Sequence, residues 1–219
     1  MKIVAVHTGH LLVLPLKELV KEYLPNAQFY NIVDDSLITQ VIHDGGVREP
    51  VALRLMQCYK MAVDIGADYI LNACSSVGEV ASAAQKIFDT PILRIDEPMI
   101  RYAVQNFQRI GVLATLPTTL KPTTNLILSQ AQTLRKYINI SEGLADAFGA
   151  DKNKFEKLVT EAAVKITKQV DCIILAQGSM ASMEDRLREE TGVHVLASPR
   201  LCIQNIRNLT LQAESNNVF

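Results

Sequence analysis

The sequence predicts an α/β fold of the doubly wound type, built as two similar parallel-sheet lobes. Three observations predict it. Short runs of Val, Ile and Leu alternate with longer segments of helical period; the runs are apolar throughout, as in strands covered on both faces by crossover helices; and part of the pattern occurs twice.

In chain order, strands are expected near residues 2–7, 27–32, 68–73, 91–94, 109–114, 137–141, 171–176 and 193–196. Helices fill most of the intervals, over 14–23, 50–65, 76–88, 98–106, 118–136, 152–168, 179–190 and 198–212. Pro98, Pro117 and Pro199 each stand where a helix can begin, because the missing N–H of a first-turn proline costs no intrahelical bond. Asp34 and Asp35 follow a strand and precede a further helix, so one of them is expected to cap it together with Ser36.

The duplication is carried by two pairs of segments. Arg109–Thr115 resembles Lys2–Thr8, each a basic residue followed by a strand that ends in threonine, and Val170–Ser179 resembles Ala67–Ser75. That pairing is expected to set Gly178 opposite Cys74 across a cleft between the lobes. The first lobe is drawn over 1–96 with 198–219, the second over 97–197. In an open α/β sheet, ligands bind at the carboxyl ends of the strands. The loops expected to meet there are His7-Thr8-Gly9, Cys74-Ser75-Ser76, Thr115 to Thr119 and Gln177-Gly178-Ser179.

Whole-chain properties narrow the function classes. The 219 residues carry a net charge of −1, with 48% hydrophobic and 21% charged residues, so no basic footprint for nucleic acid or an anionic membrane is present. No apolar stretch reaches the roughly 20 residues that span a bilayer, and the opening strand is interrupted too early by His7 and Gly9 for a signal peptide. Four cysteines in that context point to a reducing, cytoplasmic compartment. No C-x-x-C pair or His/Cys cluster has metal-ligand spacing. Small molecules and copies of the chain itself are the expected partners.

Among the cysteines, Cys74 stands apart. It ends the strand Tyr69-Ile70-Leu71-Asn72, flanked by Ser75 and Ser76, just as a helix begins. Unpaired N–H groups at a helix start favour an anion, so the thiol is expected to titrate below its free value of about 8.5. A free cysteine more often behaves as a small buried hydrophobe, and that is the reading for Cys58, Cys172 and Cys202.

The stretches Ile3 to Gly9, Asn31 to Leu37, Asn72-Ala73-Cys74-Ser75-Ser76, Ile110 to Thr115 and Leu175-Ala176-Gln177-Gly178-Ser179-Met180 resemble the aspartate/glutamate/hydantoin racemase family over essentially the full chain. The resemblance implies two Rossmann-like lobes related by a pseudo-twofold axis, with the active site between them and no cofactor. It implies a homo-oligomer, and a small carboxylate substrate flanked by two cysteines, one taking the α-proton and the other returning it from the far face. Removing that proton creates an enolate-like dianion, which a cofactor-free site must stabilise with fixed donors. His7, Thr8, Asn72, Ser75, Ser76, Thr115, Thr118, Gln177, Gly178 and Ser179 are the expected substrate-binding residues, with Cys74 as acid/base.

The sequence departs from that pattern at the second cysteine, where Gly178 is expected. Three outcomes follow. Another group, with His7 and Ser179 the leading candidates, serves the second face; Cys74 works alone, as in decarboxylation or double-bond isomerisation; or Cys74 adds covalently to an unsaturated diacid, as in maleate isomerases. A binding protein that has lost turnover is the competing class. The remaining polar residues have simpler readings: His10 and His43 as loop or surface residues, Glu79 as a partner of the helix dipole, Arg54 and Arg94 as candidates for a distal carboxylate, and Asp34 or Asp35 as a rim carboxylate for an amino group.

Overall fold

The computed structural model describes residues 1–216; the last three residues of the first-lobe assignment lie outside it. The two sheets have one topology used twice. Strands β1 (Lys2–His7), β2 (Gln28–Val33), β3 (Tyr69–Asn72) and β4 (Ile92–Arg94) form a parallel sheet in the order β2-β1-β3-β4. Strands β5 (Arg109–Ala114), β6 (Asn139–Leu144), β7 (Cys172–Leu175) and β8 (His194–Ala197) repeat it as β6-β5-β7-β8.

Helices cover both faces of each sheet, which is why the strands read as continuous apolar runs. In the first sheet Val4, Val6 and Ile70 pack beneath α2 (Ser36–His43), α3 (Glu49–Asp64) and α4 (Gly78–Ala84). The alternate residues Ile3, Ala5 and Leu71 face α1 (Val13–Tyr23) and α9 (Ser198–Asn216). In the second sheet Leu113, Ile173 and Leu175 face α7 (Lys152–Thr167) and α8 (Glu184–Thr191), while Ile110, Val112 and Ile174 face α5 (Glu97–Asn106) and α6 (Pro117–Thr133). Cys58, Cys172 and Cys202 are buried in these cores. Helix α9 returns from the second sheet to pack on both α1 and α5.

The duplication extends to individual bonds. The backbone N–H of Lys2 donates to the Asp68 carboxylate at 2.6 Å and that of Arg109 to Asp171 at 3.3 Å. The N–H of Ala73 donates to Val6 and that of Ala176 to Leu113, both at 2.9 Å. With Ala73 and Ala176 equivalent, the next residue pair is Cys74 and Gln177. Both are extended and both cap a 3-10 turn, Ser75–Val77 after Cys74 and Gly178–Met183 after Gln177. The expected pairing of Gly178 with Cys74 is thus off by one residue: register places Gln177 opposite the thiol, and Gly178 matches Ser75.

Smaller differences concern element ends. The helices expected from 76 and 179 begin as 3-10 turns and become α-helical only at Gly78 and Glu184. The strand expected at 137–141 runs three residues further, because β6 is a largely exposed edge strand in which Glu142 and Leu144 face solvent, leaving little apolar pattern to mark its end.

Candidate active site

Between the strand ends lies a cavity of about 300 Å³, a volume suited to a small molecule. Of the expected residues, Thr8, Cys74, Ser75, Ser76, Gln177, Gly178 and Ser179 line it. His7, Asn72, Thr115 and Thr118 do not, although two of them, Asn72 and Thr115, hold residues that do.

Cys74 follows β3, is half-buried and lines the cavity. The Thr8 hydroxyl, the backbone N–H groups of Ser76 and Val77 and the Ser76 hydroxyl favour its thiolate, but loss of water is the larger effect, and burial pushes the thiol up from its ordinary value. The expected depression fails for a physical reason: the helix beyond the turn, α4, has only seven residues, and the sulfur sits below the surface that would hydrate it.

Around the thiol, the loop is held from behind. Asn72 accepts from the buried Tyr59 hydroxyl at 2.9 Å and donates its amide to the Cys74 carbonyl at 2.9 Å, fixing where the loop leaves the strand. Ser76 shares a 2.8 Å hydrogen bond with Thr119 of α6, which crosses from one lobe to the other. When Thr119 donates in that bond, the Ser76 hydroxyl is free to donate to sulfur. Ser75 is buried, lines the cavity and leaves its hydroxyl without a protein partner.

The opposite wall is built from the second lobe. Gln177 accepts from the Thr115 N–H at 2.6 Å and donates to the Thr115 hydroxyl at 2.8 Å. A Cβ placed on Gly178 would lie 2.7 Å from Leu12 Cδ1, so this glycine leaves room for a leucine arriving from the first lobe. The segment Thr8 to Leu12 therefore runs along the cavity, sharing the wall with Cys74 and packed on Gly178 at its far end. His10, at its middle, is exposed and lines the cavity, as do Asp35 and Phe148. The exposure of His10 agrees with a loop or surface residue, and the sequence marks its place on the wall only by its position two residues beyond Thr8.

His7 lies outside the wall. Its Nε2 is 2.8 Å from the Asn31 amide oxygen, its Nδ1 is enclosed without a partner, and burial pulls its pKa down from 6.5 against the Asn31 bond. Thr118 opens instead on a neighbouring hollow between the 44–48 loop and α6. Arg54 is paired with Asp34, and Arg94 forms a buried two-pronged pair with Asp96 at 3.0 and 2.8 Å. Neither lines the cavity, and among the described residues no lysine or arginine does. Among those residues no cluster of three His, Cys, Asp or Glu side chains is placed to hold a metal ion, and no helix is long and apolar enough to cross a membrane.

Solved structures share this architecture. A glutamate racemase from Bacillus anthracis matches with a TM-score of 0.80 at 16% identity, covering 96% of this chain and 82% of its own. An allantoin racemase from Klebsiella pneumoniae gives 0.72 at 15%, covering 97% and 89%. An aspartate racemase from Picrophilus torridus gives 0.69 at 15%, covering 95% of both. At these identities the likeness is one of fold. No curated protein matches the sequence. The Asp/Glu/hydantoin racemase family model matches residues 13–206, and the chain belongs to that family.

Proposed function

We propose that the chain is a cofactor-independent isomerase of a small amino acid or related carboxylate, in which Cys74 moves the proton at the carbon beside the carboxylate. The observation that carries this reading is the placement of a thiol at a strand end on the interlobe cavity, at the start of the Ser75–Val77 turn and together with Thr8, Ser75 and Ser76. Beside it Ser75 lines the cavity, its hydroxyl enclosed and without a protein partner. With no cation on the wall, a carboxylate and the charge that develops on its enolate would be held by neutral donors. Such donors are strong in a site that excludes water, about 3–4 kcal/mol for a well-aimed one. Since burial favours the protonated thiol, the resting enzyme presents Cys74 as a proton donor to its own face of the substrate.

The test is deuterium exchange at the α-carbon, followed by NMR in D₂O over D- and L-amino acids, hydantoins and small diacids. Exchange on at least one class, reduced at least 100-fold in Cys74→Ala, is the expected result, in line with the usual worth of a positioned acid or base, about 10² to 10⁴. Exchange that survives Cys74→Ala unchanged would sink the reading.

The amide at Gln177 favours a second reading, since it cannot carry a proton between states. In decarboxylation, loss of CO₂ itself generates the carbanion, and Cys74 alone would protonate it. Release of CO₂ from a malonate, with solvent deuterium delivered to one face and no exchange of the product, would select that alternative.

A further inference from the structure

We infer that His10 moves the proton on the face of the substrate opposite Cys74. This rests on the isomerase reading above and supplies what that reading lacks. Stereoinversion needs two proton-carrying groups, one on each face, and the register puts an amide, Gln177, where the second would stand. Gln177 is tied through both its oxygen and its nitrogen to Thr115.

Apart from Cys74, the titratable side chains lining the cavity, among the described residues, are His10 and Asp35. Their positions differ. Asp35 stands at the start of α2 without the side-chain cap bond expected there, and lines the cavity together with Ile38 and Thr39 of that helix; a carboxylate there suits a substrate ammonium and repels an enolate. His10 sits midway along the segment from Thr8, which shares the wall with Cys74, to Leu12, which lies against Gly178, the residue after Gln177. Its backbone is held by the bond from the Val13 N–H to its carbonyl at 3.1 Å, while its side chain is exposed and joins the wall.

The proton account closes with these two groups. Neutral His10 takes the α-proton, forming an N–H bond as the Cα–H bond breaks and leaving the electron pair in the enolate. The Cys74 S–H bond then breaks and a Cα–H bond forms on the other face. The product is the inverted enantiomer, and the enzyme is left with imidazolium and thiolate, which serve the reverse direction or exchange with water. Imidazole is the side chain most often used as a general acid and base.

The experiment measures inversion and deuterium exchange from each pure enantiomer for the wild type, His10→Gln, His10→Ala and Asp35→Asn. Because His10 is exposed, its variants are expected to fold, which circular dichroism checks. Inversion falls at least 100-fold in His10→Gln, and imidazole added to His10→Ala restores part of it. Inversion at the wild-type rate in His10→Gln overturns the inference, as does loss in Asp35→Asn alone. If the wild type exchanges one enantiomer with retention and the loss follows Cys74, the isomerase reading stands and the His10 inference falls. If no substrate exchanges in the wild type, or Cys74→Ala keeps full inversion, both fall together.

Discussion

Two corners of the molecule share a backbone path and differ in the side chain set against a threonine. After β1, the Thr8 hydroxyl favours the Cys74 thiolate; after β5, Thr115 bonds to Gln177. In each lobe a threonine just past the first strand meets the residue that caps the 3-10 turn past the third. The pairing therefore belongs to the scaffold, and the chemistry belongs to the side chain placed in it. A thiol can carry a proton, an amide can only donate and accept hydrogen bonds, and so the two faces of the cavity are unequal.

The sharpest way to break this inequality is Gln177→Cys. Thr115 would then stand toward the new sulfur as Thr8 stands toward Cys74. In a His10→Gln background, where inversion is expected to be lost, the added cysteine should restore it by at least tenfold, and Cys74→Ala should abolish it again. The readout is optical rotation of a pure enantiomer over time. A double variant that remains inactive, although iodoacetamide labels both cavity thiols, would show that the corners are not chemically equivalent.

A smaller effect is expected from the threonines. Thr8→Val removes a hydroxyl that favours the Cys74 thiolate, so the thiol should move further above its ordinary value. A hydrogen bond to a charged group contributes about 1.5–3 kcal/mol, and the alkylation rate at fixed pH should fall about tenfold or more, recovering as pH rises. Thr115→Val should leave that rate unchanged while leaving Gln177 held only through its oxygen, by the backbone N–H of residue 115. Equal effects of the two substitutions on Cys74 alkylation would mean that the hydroxyls act through general packing rather than through their own corners.

Much of the architecture is legible in the sequence because buried parallel strands must be apolar on both faces, which leaves runs such as Ile3-Val4-Ala5-Val6 and Cys172-Ile173-Ile174-Leu175. Cys74 is legible because a strand end followed by small hydroxyl residues is visible locally. The off-by-one pairing at Gly178 shows the limit. Gln177 and Gly178 both fit a turn, and only the bonds from Ala73 and Ala176 to the neighbouring strands settle the register. His7 and His10 are close in sequence, yet the strand turns one ring into the protein against Asn31, while the loop leaves the other on the cavity wall. The thiol's upward displacement was also hidden, since sequence displays the donors at a turn but not the water lost around them.

His7 itself gives the comparison its weakest but most separable test. Its counterpart at the end of β5 is Ala114, a plain core residue, whereas His7 encloses an unpartnered Nδ1. Burial makes the protonated ring costly in the folded chain, so its folded pKa lies below 6.5 and the unfolded chain binds the proton first. Stability should therefore be full above pH 6.5 and decline as pH falls below it, by at most about 1.4 kcal/mol per pH unit for a single proton. Urea denaturation at pH 7.5, 6.5 and 5.5 would measure this. His7→Asn should be less stable than the wild type at pH 7.5, because the bond to Asn31 is lost or reshaped, yet lose less than the wild type on acidification. Parallel declines in the two proteins would show that the enclosed imidazole is already accommodated as a cation, and the difference between His7 and Ala114 would then be one of packing alone.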